Sequence, residues 1–375
     1  MTLTPEEETV ALFERNRVDL VATLPCDRLK NLLPLIGDRF FEIQLSREED
    51  GVGICAGAFL AGAKPLMLIQ STGIGNLLNA LSSLNFTYEI PLPIVASWRG
   101  VWQEAIPAQV YWGKHLKAVL EALDIKTYEV HSVEDLWLVD DGLRESFRIS
   151  RPVVILISPQ VWSCEPSDVS DELPYERSLP YEGLHEAPLK PPQMTRYDAI
   201  KACVPYLRGR AVVCNLGIPC KELHALCDQP SNFYMLGSMG LASSIGLGVS
   251  LYNEREVVVL DGDGSLLMNP NVLCSISQQA GDNLTVVALD NGTYGSTGNQ
   301  RTASQHLDLE LLARGFGIYC TSKVYTAEDL LAVLQLPIGP KFIHAVIKPG
   351  NASVPDLPYM PVDIKRRFME HLGSG

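Results

Sequence analysis

Short apolar runs alternate along the chain with stretches whose apolar positions recur at helical spacing. The runs fall at 18–22, 41–45, 65–70, 92–96 and 153–157, and again at 211–215, 233–236, 256–260, 285–289 and 342–347. They are rich in Val, Ile and Leu and nearly continuous, which predicts strands covered on both faces. Such strands separated by helices make parallel sheets, so an α/β fold of two tandem doubly wound parallel-sheet domains is expected. Between the two sets, residues 163–195 hold Pro166, Pro174, Pro180, Pro188, Pro191 and Pro192 among many acidic residues, with no hydrophobic period. That stretch is expected to be a surface linker, dividing the chain into 1–162, 163–195 and 196–375. In open parallel sheets ligands bind beyond the carboxyl ends of the strands, so the residues after each run are the ones to read for chemistry.

The run at 256–260 leads into Asp261-Gly262-Asp263-Gly264-Ser265. Asn269 and Pro270 predict the cap and first position of a helix with Val272, Leu273, Ile276 and Ala280 on its apolar face, and Gly281 ends it. The next run closes on Asp290-Asn291-Gly292-Thr293. This is one βαβ unit, and a right-handed crossover between neighbouring strands would set Asp263 and Asn291 side by side. Both offer hard oxygen donors of the kind Mg²⁺ takes, while glycines at 262 and 264 let backbone N–H groups approach phosphate oxygens. Gly, Asp and Asn are common in any βα turn, so a single Gly-Asp-Gly says little. The second acid-amide turn, 28 residues after the first, is the specific part.

Two more segments stand out. Gly237-Ser238-Met239-Gly240 precedes a small-residue helix at 241–250. Arg47-Glu48-Glu49-Asp50-Gly51 opens a helix carrying Gly53, Ala56, Gly57 and Ala58, which would admit a close neighbour such as a tight subunit interface. Gln70-Ser71-Thr72-Gly73-Ile74-Gly75-Asn76 fails as a dinucleotide fingerprint, because Leu78 stands at the third glycine position.

A formal net charge of -14 argues against nucleic acid or an anionic membrane as partner. An anionic substrate would need only a local basic site. Nine cysteines with no C-x-x-C spacing predict reduced, buried thiols. The first residues show neither a basic n-region nor an apolar run, and no run approaches a bilayer span, so a cytoplasmic protein is expected.

Gly262-Asp263-Gly264-Ser265 followed by Asp290-Asn291 resembles the signature of thiamine-diphosphate enzymes. The resemblance implies thiamine diphosphate and Mg²⁺ as cofactors. It makes Asp263, Asn291 and the Thr293 carbonyl the metal ligands, with Gly262, Gly264 and Ser265 around the diphosphate. Asp290, where the family usually has Asn, falls outside the ligand set. Gly237 would meet the aminopyrimidine, Met239 would force the bent shape of the cofactor, and Gly73 and Asn76 would lie near the pyrimidine. Glu48 aligns with the catalytic carboxylate, which faces N1′ of the aminopyrimidine and is shielded from water. In the family that residue comes from a second subunit, which implies a homodimer or homotetramer with active sites between subunits.

Most pyruvate-decarboxylase relatives carry a third domain between these two. This chain resembles instead the compact 2-oxo-acid decarboxylases that include the phosphonopyruvate and sulfopyruvate decarboxylases. Residues 24–33, 47–49, 69–73 and 88–93 look like the α subunits of the latter, and 237–248 and 262–298 like the β subunits, here fused. The implied reaction takes 3-sulfopyruvate to sulfoacetaldehyde and CO₂ on the route to coenzyme M in methanogenic archaea. A substrate bearing a carboxylate and a sulfonate calls for cationic donors, for which Arg47, Arg28, Lys30, Arg99 and Arg301 are the candidates. The adjacent histidines of pyruvate decarboxylases are absent, residues 103–109 occupy roughly that region, and the proton donor to the product is unassigned. The alternatives are a phosphonopyruvate decarboxylase and a non-catalytic thiamine-diphosphate-binding protein, against which Glu48 counts.

Overall fold

The computed structural model describes residues 3–162, 190–297, 299–373 and 375. Most of the expected linker, 163–189, lies outside these residues.

The first half is a six-stranded sheet of β1 (Leu20–Thr23), β2 (Phe41–Gln44), β3 (Pro65–Gln70), β4 (Leu92–Ser97), β5 (Lys126–Val130) and β6 (Pro152–Ile157). The second contains β7 (Ala211–Cys214), β8 (Asn232–Tyr234), β9 (Val257–Gly262) and β10 (Leu284–Asp290). A small hairpin of β11 (Thr293–Tyr294) and β12 (Gln300–Arg301) follows, then β13 (Cys320–Val324) and β14 (Lys341–Val346). Every pairing within the two large sheets is parallel. The strand orders are β2-β1-β3-β4-β6-β5 and β13-β14-β10-β9-β7-β8. Read from the other edge, the second order repeats the first, so the halves share one topology without a sequence repeat.

Eight of the ten apolar runs became inner strands, of which β3, β4, β6, β9, β10 and β14 are buried along nearly their whole length, and the runs at 41–45 and 233–236 became the edge strands β2 and β8. Two strands carry no such run. β5 (KTYEV) and β13 (CTSKV) are edge strands, mostly half-buried, and tolerate polar residues on the face they leave open.

In each half the order reverses beside the first strand, between β1 and β3 and between β7 and β9. A crevice opens at such a point because the connections leave in opposite directions, and ligands bind there.

The halves meet along two helices, Glu48–Leu60 and Ala242–Tyr252, in van der Waals contact. A Cβ on Gly57 would stand 2.8 Å from Val249 N and 2.9 Å from Gly248 Cα, and one on Gly248 would stand 2.8 Å from Ala58 N. The small residues that suggested a subunit interface therefore bring the two halves of one chain together, backbone against backbone. No described helix is long and apolar enough to cross a membrane.

Candidate active site

The β9 and β10 ends are set by their pairing. Asp261 lies opposite Ala288 and Gly262 opposite Leu289, so the turns that follow emerge side by side. Asp263 begins the short helix Asp263–Met268, and β10 runs out through Asp290 into Asn291. Gly292 adopts a left-handed conformation (φ +65), which turns the chain back at once toward the β11–β12 hairpin. Gly264 packs under the Tyr294 ring, where a Cβ would stand 3.1 Å from Cδ1.

A cleft lies over these turns. Gly262, Asp263, Gly264, Ser265, Asn291, Thr293 and Met239 all line it, so seven residues expected from separate motifs converge. It opens at the β7–β9 reversal, and Asn215 and Leu216 beyond β7 close its other side. Ser265 links two of the motifs, because its Oγ accepts a hydrogen bond from Gly240 N at 3.0 Å. That contact fixes the Met239 loop to the Gly262–Ser265 turn. Gly237 is outside the cleft lining and packs against Ser83 of the first half, with Ser238 and Ser83 hydroxyls 2.7 Å apart.

Asp263 is buried. The Thr302 hydroxyl donates to Oδ2, as does Ser304 Oγ at 2.9 Å. Burial, then the nearby Asp290 charge, push its carboxyl above the ordinary range, while the two hydroxyls hold it down. Asp290 points elsewhere: Oδ1 lies 2.7 Å from Ser304 Oγ, whose single proton is shared between the two carboxylates, and accepts from Gly292 N at 3.0 Å, while Oδ2 meets His344 Nε2 at 2.8 Å. The Asn291 amide oxygen accepts from Thr293 N at 3.1 Å, an Asx turn that keeps it over the cleft. Asp263, Asn291 and the Thr293 carbonyl are all oxygen donors, a set that fits Mg²⁺ bridging phosphates. A divalent cation would also relieve the crowding of two buried carboxylates. The Thr293 hydroxyl is buried without a partner among the described residues.

Glu48 belongs to a second cluster at the carboxyl end of β3. It is 5% exposed, and its Oε2 accepts from Asn76 Nδ2 at 2.8 Å. Gly73 lies against the carboxyl, where a Cβ would stand 2.8 Å from Glu48 Cδ, so a side chain there would push the carboxyl from its present place. Glu48, Gly73 and Asn76 are thus brought together. This cluster does not line the Asp263 cleft within the chain. It connects to it through Asp50, whose Oδ1 accepts from Asn269 at the end of the Asp263–Met268 helix. Asn269 was expected to cap the next helix. That helix begins instead at Val272, with no side-chain cap.

The basic candidates separate. Arg99 is buried and already held by Asp27 (2.5 Å) and Glu104 (2.9 Å). Arg28 and Lys30 are half-buried in the turn beyond β1, with Arg28 Nε 3.7 Å from Asp27. Arg47 is exposed beside Glu49, and Arg301 is exposed on β12, opposite Thr293. Motif reading passed over Arg196, Asn215, Thr302 and Ser304. Asn215 stands directly after β7, where the strand-end rule would have found it. Arg196 and Ser304 follow no strand directly, and Thr302 follows only the two-residue β12, so these three are gathered by the fold.

Residues 219–344 match a family profile described as "Thiamine pyrophosphate enzyme, C-terminal TPP binding domain". The chain is 48% identical to a sulfopyruvate decarboxylase of Methanosarcina acetivorans, over 98% of this chain and 97% of that one. Its halves match separate chains: the β subunit of sulfopyruvate decarboxylase from Methanothermobacter thermautotrophicus (44% identity, 48% of this chain, 96% of the subunit) and the α subunit from Methanocaldococcus jannaschii (39%, 40% and 91%). A phosphonopyruvate decarboxylase of Streptomyces viridochromogenes is 31% identical over 94% of this chain and 90% of that one. Among solved structures, a chain from Mycobacterium smegmatis assigned to the thiamin diphosphate-dependent enzymes superposes with a TM-score of 0.69. It covers 93% of this chain and 100% of that one at 14% identity, a likeness of fold.

Proposed function

Because the chain belongs to the sulfopyruvate decarboxylase family of thiamine-diphosphate-dependent 2-oxo-acid decarboxylases, we propose that it converts 3-sulfopyruvate to sulfoacetaldehyde and CO₂ with Mg²⁺, in the cytoplasm, on the route to coenzyme M. The observation that carries this reading is the 48% identity along the full length of both chains, against 31% for a relative acting on phosphonopyruvate.

When bound, thiamine diphosphate supplies a nucleophilic carbon and an electron sink for the pair left behind by CO₂. The residues of the chain supply the rest. Asp263, Asn291 and the Thr293 carbonyl would hold Mg²⁺, with Gly262, Gly264 and Ser265 offering N–H and O–H groups to the diphosphate. Met239 would support the bend of the cofactor. Glu48 would share a proton with the aminopyrimidine. Its burial and the Asn76 amide keep that carboxyl dry and fixed, which sharpens its effect on the ring. Arg28, Lys30, Arg47 and Arg301 remain candidates for the substrate's two anionic groups. Arg99 is better suited to hold Asp27 and Glu104 in place, because its charge is already met.

Within one chain Glu48 does not line the Asp263 cleft, which supports a homodimer or homotetramer in which a second copy completes each site. Purified protein supplied with thiamine diphosphate and Mg²⁺ under anaerobic, reducing conditions should release CO₂ from 3-sulfopyruvate. No release would refute the proposal, and faster turnover of phosphonopyruvate in the same assay would move the assignment to that acid.

A further inference from the structure

Among the described residues lining the cleft, Arg196 carries the only positive charge. It opens the helix Arg196–Leu207 and is 6% exposed. A guanidinium so enclosed needs partners along most of its edge. Nε donates to Glu222 Oε2 at 2.8 Å, and Nη2 donates to Glu222 Oε1 at 3.2 Å and to Asn351 Oδ1 at 2.8 Å. Glu222 is itself fully buried and also accepts from Ala352 N at 3.0 Å, while Asn351 donates to Gly295 O at 2.7 Å. One edge of the guanidinium is thus clamped by a bidentate fork and cannot swing. Nη1 has no partner among the described residues and is not one of the sealed, unpartnered atoms. Of the cavities among the described residues, the one Arg196 lines is this cleft.

The same wall carries a second source of positive potential. The ten-residue helix Ile218–Cys227 starts after Gly217 (φ +83), and its first residues, Ile218 and Pro219, line the cleft. Unpaired N–H groups at such an end favour an anion. Asp263 and Asn291, the oxygen donors suited to a cation, line the same cleft. A diphosphate ester carries more negative charge than one divalent cation neutralises, so a cleft holding both needs a further cation.

We propose that Arg196 donates through Nη1 to the terminal phosphoryl group of thiamine diphosphate, with Glu222 and Asn351 as the positioning residues that aim it. This rests on the cofactor reading above. It makes Arg196 the group that distinguishes the diphosphate from shorter thiamine esters.

Titrations of the unloaded protein with thiamine diphosphate, thiamine monophosphate and thiamine, each with Mg²⁺ and followed by tryptophan fluorescence, test it. Because Arg196→Gln alone would leave Glu222 buried and unpaired, the double variant Arg196→Gln/Glu222→Gln is the main comparison, and Arg196→Lys the second. Both should bind thiamine diphosphate roughly ten- to a hundredfold more weakly, as loss of one charge-assisted hydrogen bond predicts, with thiamine affinity changed less than about twofold. Equal losses for all three ligands, or no loss for the diphosphate, would overturn the assignment. Failure of the unaltered protein to prefer the diphosphate would overturn the cofactor reading itself, and the Arg196 assignment with it.

Discussion

Asp50 lies two residues beyond Glu48, fully buried where the halves meet. Its Oδ1 accepts from Asn269 Nδ2 and, at 3.4 Å, from Ser244 Oγ. The other oxygens of the pair, Asp50 Oδ2 and Asn269 Oδ1, are both buried without partners among the described residues. Burial, with a smaller push from Glu49, raises this carboxyl from 3.8 to about 7, against the pull of Asn269, Ser244 and Arg47. A proton on Oδ2 would provide the donor that Asn269 Oδ1 lacks. Asparagine at position 50 would provide the same donor permanently. The sign follows from linkage. The folded state holds this proton more tightly than the unfolded chain, so the stabilisation is complete below pH 4 and is lost as pH rises through about 7. A shift of roughly three units at 1.36 kcal/mol each comes to about 4 kcal/mol over the whole window, of which roughly 2–3 kcal/mol falls between pH 5 and 8. Urea unfolding of the unloaded protein and of Asp50→Asn, followed by tryptophan fluorescence across that range, isolates this group from the other carboxylates. The variant should gain on the unaltered protein by that amount as pH rises. A difference that stays constant with pH, or a variant less stable at pH 8, would refute the reasoning.

Gly57→Ala forces a methyl group into the backbone of the facing helix, and its urea midpoint should fall by the equivalent of about 1–3 kcal/mol. An unchanged midpoint would mean that the two helices do not meet as described. Glu48→Gln should keep thiamine-diphosphate binding within a few fold while turnover drops by at least about a hundredfold, measured by calorimetry and CO₂ release. Survival of activity would remove Glu48 from its role. Asp263→Ala should abolish Mg²⁺-dependent binding of thiamine diphosphate in the same titration, and full binding would assign the metal elsewhere.

The inner strands were legible because burial on both faces forces an unbroken apolar run, and the turns after β9 and β10 because glycine, aspartate and asparagine recur there at a fixed interval. What escaped follows equally from physics. β5 and β13 stand at sheet edges, where one face stays open and the apolar signal fades. Asn269 has the sequence context of a helix cap, but the partner it found, Asp50, is 219 residues away in sequence. Arg196 sits just after the proline-rich stretch, in no motif, and only the Glu222 and Asn351 side chains reveal what it is held for. Arg99 looked like a substrate ligand because strand-end arginines often are, but Asp27 and Glu104 had already claimed its charge.

The close seating of Gly57 on Gly248 gains a different meaning when the chain is compared with relatives whose halves are separate subunits. Two separate chains must find each other by diffusion, and their association is set by how much of each the cell makes. Joined in one polypeptide, the faces meet at an effective concentration on the order of millimolar, which against roughly micromolar free chains is equivalent to about 4 kcal/mol of contact energy. Fusion therefore fixes the ratio of the halves at one to one. It also lets the glycine seam tolerate substitutions that would dissociate a two-chain assembly, so drift at this contact is expected to be wider in fused chains than in split ones.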